Sequence, residues 1–235
     1  MIVAGVDGCK DGWFVVLWDL AKGSIDGRVV QAFTDLLALP ERPQIVAIDI
    51  PIGLLAAAQR GGRECAAAAR GLLRSPRRNS VFTPPVRAAL AADDYRAACA
   101  VNAASSAAGL QLSKQCHGLF SKLREVDATM RPERQATVFE VHPELSFYEM
   151  ADGVPAMHRK KDKAGFDERS RCLGAAGFPD PVSLALWRPS GVALDDVLDA
   201  CAACWTARRI VNGIAVCIPA EPPTDDRGLR MEMWR

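Results

Sequence analysis

No apolar run in the chain approaches the roughly 20 residues that a membrane-spanning helix needs, so a helical membrane protein is not expected. Net charge is nearly absent too: 29 Lys and Arg against 28 Asp and Glu leave +1. That balance excludes a uniformly basic nucleic-acid coat protein, though not a local basic groove. A second close cysteine pair is missing. Cys201-Ala-Ala-Cys204 stands alone among eight cysteines, and a zinc site needs four ligands, usually two such pairs. The sequence also lacks internal repeats, low-complexity tracts and any RRM, KH, zinc-finger or helix-turn-helix signature. Its start, MIVAGVDGCKDGW, carries acidic residues where a signal peptide would be uniformly apolar. A cytoplasmic protein is therefore expected, its cysteines reduced and serving as small apolar fillers.

What is present is ordinary globular composition, 49% hydrophobic and 24% charged, which sets disorder aside for most of the chain. The 235 residues suit one generous domain or two small ones, and are enough to bury a large core. Ile2 to Val6, Trp13 to Leu20 and Arg28 to Phe33 read as three strands joined by short turns, hence an antiparallel meander. Thr34 is placed to cap a short helix over Asp35 to Leu39, which Pro40 stops. Ile45 to Ile50 is apolar except for Asp49 and suits a central strand buried on both faces. From about 55 to 134 the chain turns rich in Ala, Arg and Leu and reads as a helical insertion. Strand character returns at Thr137 to Val141. Helices follow at Asp167 to Ala176 and Leu194 to Val211, and a terminal hairpin spans Ile214 to Ile218 and Leu229 to Trp234.

The chemistry lies in where the acids fall. Asp7 ends the first strand, Asp49 and Glu140 sit inside later ones, and Asp196 and Asp199 share one face of the long helix. A carboxylate in an apolar strand is costly unless it is paired or bound to a cation. Carboxylates packed together repel, and a hard divalent ion such as Mg²⁺, which binds oxygen ligands and accepts phosphate oxygens, relieves that repulsion. Bland readings stand beside this one. Asp7-Gly8 also suits a turn, and Asp195 or Asp196 also suits a helix start favoured by the macrodipole.

GVDGCKDGW at Gly5 to Trp13, AIDIPIGL at Ala47 to Leu54, SVFTPP at Ser80 to Pro85, FEVHPELSF at Phe139 to Phe147 and DDVLDACAACWTA at Asp195 to Ala207 together resemble the DUF429 family. That family is described as predicted nucleases with an RNase H-like fold. The resemblance implies an α/β fold: a mixed five-stranded sheet of order 3-2-1-4-5 with flanking helices. It implies metal-binding acids on the first strand, the fourth strand and a late helix, here Asp7, Asp49, Asp196 and Asp199, and it favours Glu140 as part of the site. RNase H-like folds also include sugar kinases and ATPases, but no second Gly-rich phosphate loop is visible here.

Glu140, His142 and Glu144 alternate, so in an extended strand they face one side. His142 then reads either as a ligand or proton-transfer group, or as a hydrogen-bonded structural residue; Pro143 is placed to end the strand and set Glu144 in a turn. Arg77 and Arg78 abut the SVFTPP block and are expected to bind substrate phosphates. Arg159, Lys160, Lys161 and Lys163 read as a solvated loop or a helix start. The leading expectation is a metal-dependent nuclease holding one or two Mg²⁺ or Mn²⁺ ions on Asp7, Asp49, Glu140, Asp196 and Asp199, with nucleic acid as partner. The alternatives are a non-catalytic protein that uses the acidic cleft for a phosphorylated ligand or a protein partner, and an actin-like ATPase-type phosphotransferase.

Overall fold

A computed structural model describes residues 1–235. Three strands open the chain: β1 (Ile2–Cys9), β2 (Gly12–Asp19) and β3 (Ser24–Val30). They pair antiparallel in sequence order, the expected meander. Helix α1 (Phe33–Leu37) begins two residues before its expected start. Thr34 does not cap it; the Asp35 carboxylate accepts from the Ala32 N–H at 3.0 Å and closes the first turn instead.

Strand β4 (Ile45–Ile48) pairs parallel to β1, and β5 (Val138–Glu140) pairs parallel to β4. The sheet order is β3-β2-β1-β4-β5, a mixed five-stranded sheet with the 3-2-1-4-5 order expected from the sequence. β4 and β5 are both shorter than expected. Asp49 lies one residue past the end of β4, and Glu140 is the last residue of β5.

Between β4 and β5 lie α2 (Glu64–Arg77), α3 (Tyr95–Ala104), α4 (Lys114–Gly118) and α5 (Phe120–Thr129), the expected helical insertion. Beyond β5 come α6 (Pro143–Met150), α7 (Lys163–Ala175), α8 (Pro181–Leu186) and α9 (Leu194–Val211). A short antiparallel pair, β6 (Cys217–Ile218) and β7 (Met233–Trp234), forms the terminal hairpin, and a bridge from Val141 to Trp234 ties it to the sheet edge.

Strand alternation sorts the core into two layers. Ala4, Val6, Trp13, Val15, Val46 and Ile48 face α1 and the insertion helices, meeting Phe33, Phe120 and Leu123. Val3, Phe14, Val16, Ile45 and Ala47 face α9, meeting Ala200, Cys201 and Cys204. Burial on both faces explains why β1, β2 and β4 read as continuous apolar runs. All eight cysteines are free thiols, and Cys201 and Cys204 are fully buried in the α9 layer, as expected of core fillers.

Gly5 sets the spacing of that layer. A Cβ there would fall 2.1 Å from the Ala200 carbonyl oxygen and 2.1 Å from the Cys204 nitrogen. Backbone therefore meets backbone where α9 crosses β1, which only glycine permits. No helix is long and apolar enough to cross a membrane.

Candidate functional site

The close crossing at Gly5 determines which side chains meet. Asp7 lies two residues on from Gly5, so it points to the same, α9-facing side. Asp49 is its neighbour one step past the last β1–β4 pair, Val6 with Ile48. Asp199 precedes Ala200, the residue at the crossing, on the N-terminal side of α9. Acids from positions 7, 49 and 199 thus enter one cleft of about 240 Å³ at the C-terminal ends of β1 and β4. Asp196, His142 and Glu144 also line it, as do Lys122 and Lys160.

The cluster is electrostatically strained. Burial, then the neighbouring Asp49 and Asp199 carboxylates, pushes the Asp7 carboxyl well above its usual range, against the opposing charge of Lys160. Burial likewise raises Asp49 to about 6, with His142 opposing and Asp199 reinforcing. Asp199 is raised by burial despite its hydrogen bond to Lys160.

Lys160 answers this charge. Its Nζ lies 2.6 Å from Asp199 Oδ2 and 3.5 Å from Asp195 Oδ2. Burial works to lower the ammonium's pKa, but Asp199 and Asp7 outweigh it and raise it. The expectation that residues 159–163 form a solvated loop or helix start is therefore corrected at Lys160, which reaches back into the cleft. Buried Arg169 on α7 holds that loop by donating to the His158 carbonyl at 3.1 Å. Gly165 lets it pass tightly, since a Cβ there would lie 1.8 Å from the Arg159 carbonyl oxygen. Nothing in the local sequence signals this placement, nor that Asp195, in the first turn of α9, is buried beside Lys160.

Glu140 is not part of the cluster. Its carboxylate is bound by the fully buried Arg63, with Nη1 at 2.8 Å from Oε2, and by the Ile52 N–H at 2.6 Å. That ion pair locks the end of β5 to residues 52–53, whose carbonyls Arg63 also binds. The expectation that Glu140 holds metal is corrected: its oxygens are already satisfied by Arg63, a partner 77 positions away in sequence.

The alternation of Glu140, His142 and Glu144 does not continue a strand either. His142 is the N-cap of α6, its Nδ1 accepting from the Glu144 N–H at 3.2 Å, and Pro143 takes the first helical position. His142 therefore has a structural hydrogen bond and also lies on the cleft. Glu144 pairs through Oε1 with Arg169 at 2.5 Å, while its buried Oε2 has no partner. A contact of 2.8 Å between Ser146 and Thr206 hydroxyls fixes α6 against α9.

Asp196 combines its two readings. It lines the cleft, yet its Oδ2 accepts from the Ala193 N–H at 3.0 Å and caps α9. Arg77 and Arg78 do not reach the acids. Arg78 opens instead, with Arg70 and Arg74, onto a separate hollow of about 380 Å³. It is Ser80, at the head of the SVFTPP block, that reaches the cleft.

The donors around the cleft are hard oxygens in excess of local positive charge, as a divalent ion requires. Asp7, Asp49 and Asp199 share the cleft with two ammonium groups, of which Lys160 pairs with Asp199 and Lys122 donates to the Gly12 carbonyl. As these side chains stand, no three of them are grouped closely enough to hold one ion, and the Lys160 ammonium occupies the strongest acidic contact. The side chains thus offer the donor type that a divalent ion takes, while Lys160 is the cation that pairs with Asp199. No curated protein and no solved structure matches the chain. The model of the DUF429 family, described as a protein of unknown function, matches residues 5–224, and the chain belongs to that family.

Proposed function

We propose that the protein is a divalent-metal-dependent phosphodiesterase acting on nucleic acid, built on an RNase H-like fold. The observation that carries this reading is the convergence of Asp7, Asp49 and Asp199, far apart in sequence, in one cleft at the ends of adjacent parallel strands. The 3-2-1-4-5 strand order, with β2 alone running against the other four strands, supports the fold half of the proposal.

Asp7, Asp49 and Asp199 would hold Mg²⁺ or Mn²⁺, with Glu144 lining the same cleft. The ion would supply Lewis-acid activation of the phosphate and of the attacking water. The chain's own groups do the rest. Lys160, whose ammonium lies 2.6 Å from Asp199 Oδ2 at the cleft, would meet the substrate's phosphate oxygens. His142, whose Nδ1 is committed to the α6 cap, keeps its other ring nitrogen for a proton at the cleft. The N-terminus of α9 points its partial positive charge at the same place.

Asp49→Asn is expected to lower Mn²⁺-dependent cleavage of nucleic acid by at least about 100-fold, with a melting temperature no lower than wild type. Retained cleavage in that variant would end the proposal. The ready pairing of Lys160 with Asp199 favours one second reading: a phosphorylated ligand bound at the cleft by Lys160 without turnover. Metal-independent binding of inorganic phosphate with no cleavage would mark it.

A further inference from the structure

Beside the carboxylate cleft lies a larger pocket of about 530 Å³, within the size range of small-molecule sites. The two share Phe82 and Gln115 as a common wall. Phe82 packs one side against the core under the insertion and leaves the rest of its ring half-buried between the two spaces. The pocket is unusually rich in amides. Asn79, Gln111 and Gln115 line it without hydrogen bonds to protein groups. Gln59 spends its Nε2 on the Gly62 carbonyl at 2.9 Å and keeps its carbonyl oxygen free.

On its far side the pocket meets the hollow of Arg70, Arg74 and Arg78 at Gly61. Arg74 and Arg78 have no acidic partner, whereas Arg70 is held by the Val81 carbonyl at 2.9 Å. Carboxylates, aromatic wall, free amides and unpaired guanidinium groups therefore follow one another along a single surface.

We infer that the pocket receives an unpaired base of a single-stranded nucleic acid whose scissile phosphodiester lies in the carboxylate cleft and whose neighbouring phosphate lies on Arg74 and Arg78. This rests on the phosphodiesterase reading and names its substrate class. Amides present donors and acceptors together, the pattern a base edge requires. An aromatic ring gives any base a stacking surface. A base held within a duplex is stacked and paired, so it cannot enter a side pocket without leaving the helix.

The test is fluorescence anisotropy in EDTA, so that cleavage plays no part. The probes are labelled deoxyuridine DNA and uridine RNA oligonucleotides of about eight nucleotides and a duplex of about 20 base pairs. At least one single strand is expected to bind about tenfold or more tightly than the duplex, and the comparison of the two strands identifies the sugar. Phe82→Ala and Gln111→Ala are each expected to weaken single-strand binding about three- to tenfold. Gln111 is exposed, so that variant decides the matter if Phe82→Ala does not fold. Equal affinity for single strand and duplex, no binding of either strand, or wild-type affinity in Gln111→Ala would overturn the inference. A protein that binds through Gln111 yet never cleaves with Mn²⁺ loses the phosphodiesterase reading and keeps the pocket. One that cleaves while Gln111→Ala binds normally loses only the pocket.

Discussion

Lys160 is the one ammonium hydrogen-bonded within a cleft that also holds the Asp7, Asp49 and Asp199 carboxylates, so it offsets only part of their charge. The remaining repulsion sets a pH dependence. Asp49 is raised from 3.8 to about 6, so in the metal-free protein it holds a proton that the unfolded chain has already released. Stability from this group is full below about 4 and is lost as pH rises through about 6, by an amount on the order of 2–3 kcal/mol. Asp7 and Asp199, also raised, deepen the loss in the same direction. Removing Lys160 takes away the cation that opposes it. Lys160→Met should therefore melt lower than wild type at pH 8 without metal, and less so at pH 5. Mn²⁺, able to replace the ammonium, should raise its melting temperature more than it raises that of wild type. Thermal melts at the two pH values, with and without Mn²⁺, read this directly. Identical pH profiles for the two proteins would mean that Lys160 does not neutralise the carboxylates.

At the scale of elements, the site depends on how closely α9 lies on β1. Gly5→Ala would drive a methyl into the Ala200 carbonyl and the Cys204 nitrogen, both at 2.1 Å, and neither is the end of a flexible side chain. A loss of about 3 kcal/mol or more is expected, which lowers the melting temperature by roughly 6–12 °C and lifts Asp199 away from Asp7. Unchanged stability would show that the helix is not seated on the strand at this residue. The sequence announced β1, β2 and α9 clearly, because apolar runs bounded by turns and a long amphipathic stretch are local signals. It placed the third strand late: β3 is Ser24–Val30 rather than Arg28 to Phe33, because its half-exposed edge position lets polar Ser24, Asp26 and Arg28 into the strand and Phe33 opens α1. It misled at the end of β5. Glu140, His142 and Glu144 alternate as a strand would, but Pro143 carries a backbone angle preset for a first helical turn, and the chain follows the proline. Glu140 itself looked like a ligand because an acid in an apolar strand demands a partner. The partner is Arg63, and no spacing rule reveals a guanidinium 77 residues away.

Over the whole molecule a net charge of +1 conceals separation, with carboxylates gathered in the cleft and Arg70, Arg74 and Arg78 around the hollow beyond the pocket. The meeting of Asp7, Asp49 and Asp199 could be anticipated, because adjacent parallel strands bring their ends together and the family resemblance set the late helix beside them. The return of Lys160 could not, since it depends on a loop pinned by Arg169 and passed over Gly165, both tertiary facts. The sequence reading sets Arg77 and Arg78 on the substrate's phosphate backbone, and Arg78 opens onto the hollow beyond the pocket. That placement has a measurable consequence. Each phosphate neutralised on a single strand releases counterions and adds about 0.7 to the slope of log affinity against log salt. If Arg74 and Arg78 hold the neighbouring phosphate, the double variant Arg74→Gln with Arg78→Gln should bind the oligonucleotide more weakly at low salt and flatten that slope by about 0.7. Single-strand preference over duplex should persist, because the base pocket is untouched. A titration with KCl in EDTA gives both quantities, and an unaltered slope would take the arginine hollow out of the path of the strand.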